Sequence, residues 1–123
     1  MTIGEAIAKI DSLKHNTYTP EEKVEWLSRQ DSMIKRLIID THEGRESVTF
    51  TGYDQETDMD TKLLAPAPYD ELYLRWMEAQ IDYHNGEYEK YNNSITMYNA
   101  AYTAFRNDYN RTHMPICKHM KFF

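Results

Sequence analysis

Tyr88-Glu89-Lys90-Tyr91-Asn92-Asn93-Ser94-Ile95-Thr96-Met97-Tyr98-Asn99-Ala100-Ala101-Tyr102-Thr103-Ala104-Phe105-Arg106-Asn107-Asp108-Tyr109 is the stretch that decides the fold of this 123-residue chain. Tyr88, Tyr91, Ile95, Tyr98, Tyr102, Phe105 and Tyr109 recur at alternating steps of three and four, which places them on one stripe of an α-helix. The spacing predicts a helix over residues 87–111 with an aromatic seam. Its other side, with Asn92, Asn93, Thr96, Asn99, Thr103, Arg106, Asn107 and Asn110, suits water or polar partners. Tyrosine is bulky, fairly rigid and has one polar handle, so the seam reads first as the core of a helical bundle, with some rings left to face another subunit.

The neighbouring segments extend the helical pattern. Asn85-Gly86 supplies a left-handed stop for a preceding helix over 69–84, whose seam is Tyr69, Leu72, Trp76, Ala79 and Tyr83, with Leu74, Met77 and Ile81 on a second stripe. Together 69–84 and 87–111 form an αα-hairpin with facing aromatic seams. Near the N-terminus, Thr2-Ile3-Gly4-Glu5 has capping-box spacing, and Ile3, Ala6, Ile7, Ile10 and Leu13 form one helical face. Thr19-Pro20 starts a second helix, with Glu22 completing a box. Its inner stripe is Val24, Leu27, Ile34, Leu37 and Ile38, with Trp26 and Met33 to the side and a stop expected at Gly44. Trp26 and Trp76 read as core anchors.

Between residues 45 and 68 the helical period disappears. Ser47-Val48-Thr49-Phe50-Thr51 alternates and is rich in β-branched residues, and Lys62-Leu63-Leu64 is its expected partner in a short β-hairpin over about 46–64. Pro66 and Pro68 straighten the chain before the third helix. Thr112 to Phe123 reads as a tail with an apolar end. The expected fold is therefore mainly α: a single four-helix domain spanning 1–123, with a β-hairpin insertion and a tail over 112–123.

Composition narrows the chemistry. A negative mean hydropathy, with 28% charged and 41% apolar residues, describes a soluble globular protein. No run reaches the roughly 18 apolar residues of a membrane helix, and no secretory leader is expected. The net charge of −6 argues against binding DNA through its phosphates. One cysteine, Cys117, excludes a disulfide framework within the chain.

Asp54-Gln55-Glu56-Thr57-Asp58-Met59-Asp60 looks like the first half of a calcium loop. Met59 stands where the glycine belongs and Ala65 where the closing glutamate should be, so a solvated loop is expected. His113, Cys117 and His119 match no zinc spacing, and His42-Glu43 lacks the second histidine of a metalloprotease helix. No nucleophile with a plausible base stands out, and neither an enzyme nor a cofactor is expected. The candidate residues are protein-interface residues: Tyr53, Tyr98, Tyr102, Met114, Ile116, Phe122 and Phe123.

Two resemblances bear on role. The segment Trp76 to Pro115, with its Gly86-Glu87-Tyr88 turn, Ala100, Ala101 and Phe105, is similar to one tetratricopeptide unit, which implies a helical adaptor binding a peptide or protein. A longer stretch includes Leu63-Leu64-Ala65-Pro66-Ala67-Pro68-Tyr69-Asp70-Glu71-Leu72-Tyr73, Asn85-Gly86-Glu87 and Tyr109-Asn110-Arg111-Thr112-His113-Met114-Pro115. It resembles small head and neck proteins of tailed phages and prophages in Gram-positive bacteria. That resemblance covers residues 63–115 and implies a virion assembly protein, a head–tail connector that rings the portal exit after assembly in the host cytoplasm. Its partners would be further copies of itself, the portal and other neck proteins, with DNA passing nearby without sequence-specific binding and no membrane contact. A small phage regulatory or chaperone protein is a third reading.

Overall fold

The computed structural model describes residues 1–116, and four helices account for most of them: α1 (Ile3–Leu13), α2 (Pro20–Leu37), α3 (Glu71–His84) and α4 (Tyr88–Thr112). α3 is the middle of the bundle. It packs along α4 on one side and against α1 and α2 on the other. Among the described residues no helix is long and apolar enough to cross a membrane.

The capping box of α1 forms as its spacing requires. The Glu5 amide donates to Thr2 Oγ1, and the Thr2 amide donates to Glu5 Oε1, both at 3.1 Å. Ile3, Ala6, Ile7 and Ile10 are buried at steps of three, one and three along the inner face. Leu13 is the exception at 63% exposure, because the helix ends there and its last turn overhangs the core. In α2, Thr19 caps the Glu22 amide at 3.2 Å, but only in that direction: Glu22 makes no reciprocal bond.

The inner stripe of α2 holds at Val24, Leu27, Ile34 and Ile38 and departs from the expected one at Leu37. Leu37 is 58% exposed, while Trp26, expected to the side, is buried beside Val24, Leu27 and Ile34. The helix stops at Leu37, well before Gly44, and a 3₁₀ turn over Ile39–Thr41 follows. This tighter winding turns Ile38 and Ile39 inward, leaving Leu37 outside.

The β-hairpin expected over 46–64 is absent. Residues 45–47 form a 3₁₀ turn, and the described β pairing is confined to two isolated bridges, Thr2 with Lys62 and His42 with Pro115. The physical reason lies in where the backbone groups of this segment go. The Ile3 and Gly4 amides at the start of α1 donate to the carbonyls of Thr61 and Met59, at 3.0 and 2.9 Å. The Leu63 amide donates to the Met1 carbonyl. The Tyr53 amide donates to Ser28 Oγ, and the Leu64 amide to Asp31 Oδ2 at 3.1 Å. Helix ends and α2 side chains thus take the bonds that a second strand would have taken. A β-carbon at Gly4 would lie 3.3 Å from the Met59 carbonyl, so glycine permits this close approach.

One buried carboxylate organises the crossing. Asp31 has no solvent exposure. Its Oδ1 accepts from the Tyr73 hydroxyl at 2.5 Å, and its Oδ2 accepts from the Tyr53 hydroxyl at 2.5 Å and the Leu64 amide. The Tyr73 oxygen accepts in turn from the Ala65 amide at 2.7 Å. Burial pushes the Asp31 carboxyl above its ordinary value, opposed by the two tyrosine bonds and the Leu64 amide. Burial and the neighbouring carboxylate push both tyrosines upward, so they stay protonated donors.

Tyr73→Phe removes a bond to the carboxylate and strands the Ala65 amide; it is expected to cost about 2–3 kcal/mol in denaturant unfolding. Tyr53→Phe, whose partner keeps two other donors, is expected to cost about 1.5 kcal/mol. The folded chain holds the Asp31 proton more tightly than the unfolded chain. This group's stabilisation is therefore complete below the ordinary value of 3.8 and is lost as pH rises through the raised folded value. The stability difference between wild type and Asp31→Asn should accordingly widen on acidification, as read by paired melts near neutrality and at mildly acidic pH.

Candidate functional site

The hairpin of α3 and α4 turns at Asn85-Gly86-Glu87, where Gly86 takes φ 75°. From that turn the aromatic seam runs the length of α4. Tyr83 lies 6.4 Å from Tyr88 and 5.5 Å from Tyr91. Trp76 lies 5.1 Å from Tyr98, Tyr69 lies 6.1 Å from Phe105, and His42 meets Tyr109 edge-on at 4.9 Å. The rings predicted from spacing alone therefore form an almost continuous ladder, worth roughly 0.5–1.5 kcal/mol per well-oriented pair beyond area burial.

Seam residues differ in what they leave for a partner. Tyr98 is buried, its hydroxyl donates to Gln30 Oε1 at 2.7 Å, and burial raises its phenol well above the ordinary range. Its ring is therefore occupied inside the chain. Tyr102 is half-buried against Tyr98, and burial raises its phenol too. Tyr53 is half-buried, held by Asp31 and packed edge-on to Phe50 at 5.1 Å.

The candidate residues near the C-terminus divide similarly. Met114 is 66% exposed at its side chain, while its carbonyl accepts from the Glu43 amide at 2.8 Å. The half-buried Ile116 donates its amide to the Thr41 carbonyl at 2.8 Å. Residues 113–116 therefore dock on the 3₁₀ turn after α2. Phe122 and Phe123 lie outside the described residues, as do Cys117 and His119.

His42 belongs to the same junction, and no metal-ligand spacing marks it, because its partners Ile38 and Asn110 are a backbone carbonyl and a side chain 68 residues away. It is buried, with Nδ1 donating to the Ile38 carbonyl at 2.6 Å and Nε2 against the Asn110 side-chain amide at 2.6 Å. That amide can offer its oxygen to a protonated imidazole or its NH₂ to a neutral one. Either arrangement ties the exit of α2 to the end of α4. His113 stacks on Tyr109 at 3.9 Å, extending the cluster. The acidic loop uses its carboxylates locally: Asp54 Oδ1 accepts from the Glu56 amide and Asp58 Oδ1 from the Asp60 amide, at 2.8 and 2.9 Å.

The surface most open to a partner is the outer side of α4. From Tyr91 to Phe105 there is no ionisable side chain other than tyrosine, although at the chain's 28% charged share about four charged residues would be expected in these fifteen. Asn92, Asn93, Thr96, Met97, Asn99, Ala100 and Ala104 are exposed there, Met97 at 50%. Solvated helix faces ordinarily carry charge, and the cores of protein interfaces are depleted of it. Compared with family models, curated proteins and solved structures, the chain matches none.

The division between seam and outer face has a direct check. Met97→Lys should change thermal unfolding by no more than about 0.5 kcal/mol, whereas Tyr98→Ala should cost about 3 kcal/mol or more.

Proposed function

We propose that the chain is a structural virion assembly protein of a tailed phage or prophage, a head–tail connector subunit that forms a ring at the portal. The observation that carries this reading is the exposed face of α4, uncharged from Tyr91 to Phe105, on a helix whose main packing partner is α3. A closed ring needs two different surfaces on each copy, one to give and one to receive, and the uncharged middle of α4, from Tyr91 to Phe105, supplies the first. The ladder of rings behind it supplies a firm body. The net charge of −6 supports a channel wall that repels packaged DNA and lets it pass without sequence-specific contact. The portal and other neck proteins are the remaining partners, met through Met114, Ile116 and the segment that follows. The work of such a protein is fitting and sealing, with no bond made or broken.

Negative-stain microscopy of the purified protein, alone and mixed with its portal, tests the reading. Rings, or density at the portal exit, support it. A monodisperse monomer or dimer without portal association overturns it and favours the tetratricopeptide-like adaptor. The double variant Met97→Asp and Ala100→Asp should keep the wild-type melting temperature to within a few degrees while abolishing ring formation, because a charge buried without a partner is costly. Ending the chain after Ile116 should leave the cooperative unfolding transition in place and weaken portal binding; a lost transition would instead make the removed segment part of the core.

A further inference from the structure

At the turn end of the hairpin, where the seam reaches the surface, lies a cleft of about 330 Å³ lined by Tyr18, Glu22, Glu25, Trp26, Arg29 and His84. Glu22, Glu25, Trp26 and Arg29 stand at i, i+3, i+4 and i+7 of α2 and so form one strip along the helix. Tyr18, on the link before α2, and His84, the last residue of α3, complete the lining. His84 stacks on Trp26 with centroids 5.7 Å apart and planes at 7°, and Tyr18 meets Trp26 edge-on at 5.4 Å.

These rings are held in place from outside the cleft. The Tyr18 hydroxyl donates to Asn85 Oδ1 at 2.7 Å, and the Trp76 indole donates to the Trp26 carbonyl at 2.9 Å. Beyond His84 the aromatic surface continues through Tyr83 to the 63%-exposed Tyr88.

We infer that this cleft is a docking site for an arginine side chain on a basic segment of a partner protein. Charge complementarity selects the occupant. Glu22 and Glu25 outnumber the one guanidinium, Arg29, on the α2 strip, the exposed His84 and half-buried Tyr18 rings lie beside them over the buried Trp26, and Glu22 makes no ion pair among the described residues. Glu25 is held by Arg29 at 2.8 Å, but both side chains are more than 60% exposed, so the pair is weak and screened and an incoming cation can compete with it.

A guanidinium suits the cleft better than an ammonium. It is planar, stacks on a ring face and takes a carboxylate through two parallel N–H bonds. Nucleic acid is disfavoured because its phosphates would meet Glu22 and Glu25. The larger cleft between α1 and α3, about 400 Å³, lacks this selectivity because Arg75 already bridges Glu71 and Glu78 at 2.8 and 3.3 Å, and a third, about 310 Å³, along residues 49–64 has no carboxylate in its lining. The inference does not depend on ring formation, since the cleft is complete within one copy.

The test is a titration of the full chain with a capped tri-arginine peptide, followed by NMR at the Trp26 indole and the His84 ring, with capped tri-lysine as a second arm. Saturable shifts at both residues are expected, with tri-arginine binding more tightly than tri-lysine and both weakening as salt is added. Glu22→Gln should weaken tri-arginine about fivefold, and Arg29→Gln should strengthen it about twofold by releasing Glu25. Both substitutions lie on exposed positions and should leave the melting temperature unchanged. Absence of saturable shifts, equal binding of the two peptides, or indifference to both substitutions would each overturn the assignment.

Discussion

A carboxylate cut off from water must be surrounded by donors, and Asp31 draws its donors from three separate parts of the chain. Tyr73 comes from α3, Tyr53 from the middle of the long crossing segment and the Leu64 amide from its end. An unsatisfied charge at this depth would cost several kcal/mol, so the three elements are bound to one position on α2. Residues 48–66, which carry little regular structure of their own, are thereby fixed without a sheet. The same segment then offers its Met59 and Thr61 carbonyls to the open end of α1. One buried charge thus orders the side of the bundle opposite α4.

α4 is held by a different physics. Its seam meets α3 ring against ring, with a few polar anchors: Tyr98 to Gln30, Ser94 to Asp82 at 2.6 Å, and Asn110 to His42. Asp82 is fully buried and faces the Lys14 ammonium at 2.6 Å, so the end of α1 also contributes to this side. Because α4 lies at the edge of the bundle, only one of its faces is used for folding. The other is long, exposed and uncharged through its middle, and the functional reading rests on that asymmetry. The aromatic cleft arises from the same geometry, at the end where the seam runs past the core into solvent.

Helix positions were legible because their signals are local. The capping box at Thr2, Pro20 behind Thr19 and the Asn85-Gly86 stop each act through neighbours within a turn or two, and the three-and-four spacing of the tyrosines leaves one way to bury them. Residues 46–64 were misread because alternation and β-branching record only a preference for extended backbone. Whether extended chain becomes a strand depends on what its amides and carbonyls meet, and here they met a helix end and a carboxylate. Leu13 differs because periodicity continues to the last turn of a helix while the core beneath it does not, and Leu37 because the winding tightens after it and puts Ile38 and Ile39 inside instead.

By itself, then, the sequence determined four helices, the N-caps at Thr2 and Thr19, the Asn85-Gly86 stop and the aromatic stripe of α4, since these follow from spacing and from backbone chemistry over a few residues. Tertiary structure alone decided that Asp31 is buried and triply bonded, that His42 joins α2 to α4, and that Tyr18 and His84 flank the Glu22 and Glu25 strip as a cleft. Each of these joins residues from separate elements, tens of positions apart in all but the Tyr18 contact and the His42–Ile38 bond, and no local pattern encodes which distant group will supply the missing hydrogen bond or ring face.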